Sequence, residues 1–137
     1  MAVDINYIAV VVAALVYYAG GALWYSPVLF GKPWMSAAGL TAEKLEVRKK
    51  DAWKSYLTSF IAAFFISYGI ARIIGYMNVI TIGGGIHTGF WSWFCFVLTT
   101  AATNNTFADR PAKLLFIDTG YHLYGFLVMG ITLAIWR

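Results

Sequence analysis

The chain has 137 residues, room for one domain, and the composition excludes an ordinary water-soluble one: 61% of residues are hydrophobic and 12% charged, against roughly 45–50% and 25% in soluble proteins. The mean hydropathy of +0.69 and the 18% aromatic content also exclude disorder, which requires an apolar-poor chain. A single cysteine, Cys95, excludes a disulfide framework and a cysteine-based zinc site, and the net charge is +4.

A hydrocarbon core about 30 Å thick is crossed by roughly 20 helical residues, and four such segments occupy most of the chain. The first runs from Ile5 to Tyr25 without a charge. It is too long for a signal-peptide core and is preceded by no lysine or arginine, so it is expected to persist as a span. The second runs from about Tyr56 to Tyr76 with one charge, Arg72. The third covers Gly84 to Thr103, and the fourth Leu114 to Trp136 with Asp118 and His122 inside it. None of these runs alternates, so helices are expected rather than the strands of a barrel. The predicted fold is an all-α integral membrane protein, a single domain of four antiparallel helices over residues 1–137.

The first connector is long enough for structure of its own. Pro33 suits the first turn of a short helix that Gly39 ends. Thr41 suits the cap of a second one with Glu43 in its opening turn. Leu45, Ala52 and Trp53 fall near one face with Arg48 and Lys49 beside it, an amphipathic segment suited to the membrane surface and able to continue into the second span. The first and third connectors hold eight of the ten basic residues. By the positive-inside bias they face the cytoplasm, both termini face outward, and the location is the inner (plasma) membrane. The same charge serves a collar for anionic lipid, with no nucleic-acid partner expected.

The second span carries Ser59, Ala63, Ser67, Ala71 and Gly75 at every fourth position. Such a stripe admits close approach of another helix, within the chain or from a second copy, so self-association or a larger membrane complex is expected. Gly85 and Gly89, and Ala9 and Ala13, begin shorter runs of the same kind. Trp24, Tyr25, Trp34, Trp53 and Tyr56 are placed at the cytoplasmic interface, and Tyr7, Tyr76 and Trp136 at the outer one. Trp91 and Trp93 lie deeper, on different sides of the third span.

Candidates for chemistry are the polar groups at depth, because a carboxylate inside a span costs about 2.5–3.5 kcal/mol when central. Asp118 shares a helix face with Tyr121 and His122 at three and four residues' spacing. Asn104 and Asn105 at the end of the third span reach a similar depth, and Arg110 approaches by snorkelling. This group reads as a clamp tying the third connector to the fourth span, or as a proton relay or a site for a small polar ligand or cation. Arg72 and His87 sit near the opposite end and are expected to be neighbours. No P-loop, HExxH, GxSxG or CxxC occurs. Two histidines at different depths make no metal site, and neither cofactor nor catalysis is expected.

Two segments carry a family resemblance: Ala22-Leu-Trp-Tyr-Ser-Pro-Val-Leu-Phe-Gly-Lys-Pro-Trp34 and Arg110-Pro-Ala-Lys-Leu-Leu-Phe-Ile-Asp-Thr-Gly-Tyr-His122. They resemble the small membrane proteins grouped as domain of unknown function 1761. The resemblance implies four spans and no assigned activity. It puts Trp24, Tyr25, Pro27, Gly31, Pro33 and Trp34, and Arg110, Pro111, Asp118, Gly120, Tyr121 and His122, in motif positions at the cytoplasmic face. A non-enzymatic scaffold or accessory subunit is the leading expectation, and a channel or transporter using Asp118 and His122 the rival.

Overall fold

The computed structural model describes residues 2–137 and is all helical, with no strand among the described residues. Helix α1 spans Tyr7–Trp24, with the Asn6 side chain accepting from the Ala9 amide at 3.1 Å. Such a cap satisfies one of the amides that the first turn leaves without a helical partner. The connector that follows holds α2, Gly31–Ala37, and α3, Ala42–Lys49. Pro33 lies in the first turn of α2, where a missing N–H does no harm. Gly39 adopts φ +66° just beyond that helix, a conformation a Cβ would disfavour. Thr41 caps α3 through the Lys44 amide, as its position predicts. Lys50 and Asp51 form a turn before the next helix, so the amphipathic segment does not run unbroken into the second span.

Helix α4, Ala52–Met77, is 26 residues long, and α7, Ala112–Ile135, has 24. With α1 they are the three helices long and apolar enough to cross a membrane. The expected third span is realised differently. Residues 82–107 are helical throughout, but as α5, Ile82–Ser92, a π-helical turn, Trp93–Leu98, and α6, Thr99–Phe107. Among the described residues there are therefore three uninterrupted apolar helices of spanning length, not the four expected. The physical reason lies in Trp93, a 9%-exposed side chain at the start of the π turn. Its indole N–H donates to the Thr119 carbonyl of α7 at 2.8 Å. A π turn inserts an extra residue into the helical repeat, and the register shift accommodates this anchored side chain.

Pairwise contacts give the directions of the helices. Ser67 Oγ of α4 donates to the Val10 carbonyl of α1 at 2.9 Å, while Tyr18 packs edge-on to Phe60; rising numbers meet falling ones, so the pair is antiparallel. Gly85 faces the Gly130 backbone and Gly89 the Phe126 backbone, which makes α5 antiparallel to α7. Tyr17 meets His122 and Trp24 meets Ile117, so α1 also runs antiparallel to α7. The C-terminal ends of α4 and α7 come together, Arg137 Nη1 donating to Asn78 Oδ1 at 2.9 Å.

The core lies between α1, α4 and α7 and is built from small residues with a few large ones: Ala9, Ala13, Ala63 and Ser67 beside Ile74 and Met129. The α4 stripe is engaged inside the chain. Ala63, Ser67 and Ala71 are buried, Gly75 receives the Val3 side chain, and Ser59 is exposed. Outward faces are apolar, with Phe65, Phe96 and Phe116 about 70% exposed. Apolar exposure on this scale is compatible with a surface that lipid or another protein covers.

Candidate functional site

Helix α7 enters from Pro111, and its seventh residue is Asp118. The Asp118 carboxylate meets donors from a distant part of the chain. Tyr25 Oη donates to Oδ1 at 2.7 Å and Trp34 Nε1 to the same oxygen at 2.9 Å. Arg110 Nη2 stands 4.0 Å from Oδ2, with both side chains partly exposed. Hydrogen bonds to an ionised acceptor are about twice as strong as neutral ones, so this one oxygen joins the end of α1, helix α2 and helix α7. Tyr25 lies one residue beyond α1, and its phenol is pushed well above its ordinary range, by burial first and then by the hydrogen bond and charge of Asp118. It therefore stays a proton donor.

The path from Tyr25 to Trp34 is folded tightly. The Phe30 amide donates back to the Trp24 carbonyl at 3.0 Å and the Gly31 amide to the Ser26 carbonyl at 2.9 Å. A Cβ on Gly31 would strike the Tyr25 carbonyl oxygen and the Ser26 backbone, so glycine is required by close approach. Trp24 then packs at a tilt against Phe30, centroids 4.6 Å apart, and its indole N–H donates to the Ile117 carbonyl at 3.0 Å. Pro27 is exposed in the turn.

One turn of α7, residues 117–121, is thus held from several directions. Trp24 and Trp93 donate to the carbonyls of Ile117 and Thr119, while Tyr25 and Trp34 hold the side chain between them. Gly120 leaves room for the Trp24 ring, which an added Cβ would meet at 3.0 Å.

A second aromatic layer lies one turn further along. The Tyr17 hydroxyl is 2.6 Å from His122 Nδ1, and Tyr121 Oη donates to the Tyr17 carbonyl at 3.0 Å. The Tyr17 and Tyr121 rings stack at 4.8 Å, and Tyr25 meets Tyr121 edge-on at 5.5 Å. Gly125 makes the space that the buried Tyr17 ring fills.

The structure brings together Asp118, Arg110, Tyr25 and Trp34 around one carboxylate, with Tyr121 adjoining. It does not join His122 to Asp118, because His122 is bonded to Tyr17. Asn105 is buried but works locally, its amide donating to the Arg110 carbonyl at 2.9 Å and to the Pro111 carbonyl at 3.4 Å. It braces the α6–α7 turn and does not touch the carboxylate. Asn104 is exposed and lies outside the group. Arg72 donates to Tyr68 and Tyr76 on its own helix, and His87 accepts from Trp91 on its own, so the expected neighbours are each satisfied separately.

Two participants were missed by sequence reasoning. Tyr17 sits in an unbroken apolar run, and its signal was a polar hydroxyl at mid-span opposite a glycine on the partner helix. Trp93 carries an N–H that a buried position obliges to find an acceptor. No group of three or more histidine, cysteine, aspartate or glutamate side chains with metal-binding geometry occurs among the described residues.

The family described as "Protein of unknown function (DUF1761)" matches residues 8–134. No curated protein and no solved structure matches the chain.

Proposed function

Given that the chain belongs to the DUF1761 family, we propose that it is a polytopic protein of the inner (plasma) membrane, acting without catalysis as a scaffold or accessory subunit. The helical stretch 82–107 crosses as a fourth span beside α1, α4 and α7, forming an antiparallel four-helix bundle. Its 26 residues rise about 39 Å at 1.5 Å each, enough for the hydrocarbon core. Both termini and the α4–α5 turn face outward, and the basic connectors face the cytoplasm. The exposed apolar belt is the surface that lipid covers.

The observation that carries the non-transport reading is the saturation of the Asp118 oxygen by Tyr25 and Trp34. A relay carboxylate exchanges partners with water or a mobile proton donor. This one receives two donors fixed by aromatic packing and pins the first connector to α7. His122, the second element of a relay, is engaged by Tyr17. The group therefore acts as a clamp that shapes the cytoplasmic face for docking. Assembly with another subunit, or with a second copy, uses an outward face, because α1 already occupies the α4 stripe.

Reconstitution in proteoliposomes with an internal pH dye tests this reading. The expected result is no proton or cation flux above protein-free vesicles, for both the wild type and Asp118→Asn. Flux in the wild type that Asp118→Asn abolishes would establish the transport alternative instead.

A further inference from the structure

Beside the clamp, on its outer side, the α6–α7 turn and the two connector helices enclose an open groove of about 350 Å³. That volume falls within the ~300–1,000 Å³ typical of small-molecule sites. Trp34 of α2, Arg48 of α3, and Asp109, Arg110 and Pro111 of the turn line it. Leu114, 2% exposed, contributes an apolar floor. Two arginines from separate segments thus line one concave space over an apolar base.

One of the two arginines has no anionic partner among the described residues. Arg48 makes no ion pair among the described residues, and Arg110 has Asp118 at 4.0 Å, a carboxylate whose other oxygen already takes two hydrogen bonds. Asp109 also lines the groove without pairing to either arginine. The turn is held in advance of any ligand: the Arg110 amide donates to the Asn105 carbonyl at 3.0 Å, and the Asn105 side chain returns bonds to the Arg110 and Pro111 carbonyls. The Trp34 N–H is committed to Asp118, so the ring offers a fixed wall. A pre-ordered site lowers the entropic cost of binding.

We propose that this groove binds a phosphate oxyanion, presented by the headgroup of an anionic phospholipid. The planar fork of a guanidinium matches two phosphate oxygens at once, and two arginines lining one groove suit an oxyanion. The lipid source is argued from the aromatics before and after the α6–α7 turn in sequence: Phe107, 89% exposed, and Phe116, 70% exposed, offer surface to acyl chains. That source rests on the membrane placement proposed above; the phosphate chemistry does not.

The test uses the full chain in a non-ionic detergent, with native mass spectrometry reading bound lipid at increasing phosphatidylglycerol, phosphatidylcholine or glycerol 3-phosphate. Phosphatidylglycerol is expected to bind one-to-one and in preference to phosphatidylcholine. Arg48→Ala and Arg110→Ala are each expected to weaken it about tenfold, the loss of one charged hydrogen-bonding partner. Arg48→Ala touches no part of the Asp118 clamp, so its effect reads binding rather than folding. Lys32→Ala, a basic residue outside the groove, is expected to change nothing. Equal loss in Lys32→Ala, undiminished binding in the double arginine variant, or equal binding of the two lipids would overturn the proposal. Arg48-dependent binding of glycerol 3-phosphate without phosphatidylglycerol would keep the phosphate site and overturn the lipid source. A chain that stays monodisperse without detergent would instead remove the membrane placement.

Discussion

At the scale of single residues, Asp118 bears the strongest constraint. Replacing it by alanine leaves the Tyr25 hydroxyl and the Trp34 indole N–H without their acceptor, and donors deprived of a partner cost about 1–3 kcal/mol each. Asp118→Ala is expected to lower stability by about 2–4 kcal/mol in detergent unfolding monitored by tryptophan fluorescence. Asp118→Asn keeps an acceptor oxygen and loses the charge, so its cost is expected near 1 kcal/mol. Tyr25→Phe is expected to match Asp118→Asn in direction and size, and the two changes combined to cost less than their sum, because both act on the one Tyr25–Asp118 bond. Equal losses in alanine and asparagine variants would mean that the charge, not the hydrogen bonding, holds the clamp. The importance of Asp118 was legible in the sequence, since a carboxylate within an apolar run demands partners. Their identity was not: Tyr25 and Trp34 reach it only because the chain doubles back at Gly31, a close approach set in three dimensions. Asn104 and His122 were grouped with Asp118 by depth and helical spacing, which fix which side of a helix a residue lies on but not which neighbour it bonds.

At the scale of elements, glycine decides how near the helices come. An added Cβ on Gly85 would run into the Gly130 backbone, and the reverse substitution into that of Gly85. Backbone cannot yield as a flexible side chain does, so Gly85→Val is expected to destabilise by about 1–3 kcal/mol or more through overpacking. Gly69 in α4 has open space at the same position, and Gly69→Ala is expected to be neutral or stabilising by about 0.5–1 kcal/mol. Both are read by the same unfolding experiment; a destabilising Gly69→Ala would show that another surface packs there. Trp93→Phe removes the bond to the Thr119 carbonyl and is expected to cost about 1–2 kcal/mol, with faster amide hydrogen exchange confined to residues around the π turn. Helix positions were readable from hydropathy because a long apolar run has few alternatives to a helix. The caps at Thr41 and Gly39 were readable from local chemistry. The π turn was not, because its cause is an indole anchored on a helix more than twenty residues away in sequence. The small-residue stripe predicted a close helical contact without naming its occupant, which is α1.

At the scale of the whole molecule, three helices of spanning length and one interrupted stretch leave a definite question about crossing number. If 82–107 crosses, the α4–α5 turn and the α6–α7 turn lie on opposite sides of the bilayer, and the groove with Arg48 and Arg110 shares the cytoplasmic side with the Asp118 clamp. If it does not, both turns share a side, an arrangement that the antiparallel contacts of α7 with α1 and α5 oppose. Composition made the apolar exterior legible from the start; sidedness rests on eight basic residues gathered in two connectors. Single-cysteine labelling in intact cells with a membrane-impermeant maleimide measures this directly, using Ile80→Cys and Ala108→Cys in a Cys95→Ala background. The four-span arrangement predicts labelling of Ile80→Cys from outside and of Ala108→Cys only after permeabilisation. Labelling of both from the same side would contradict it.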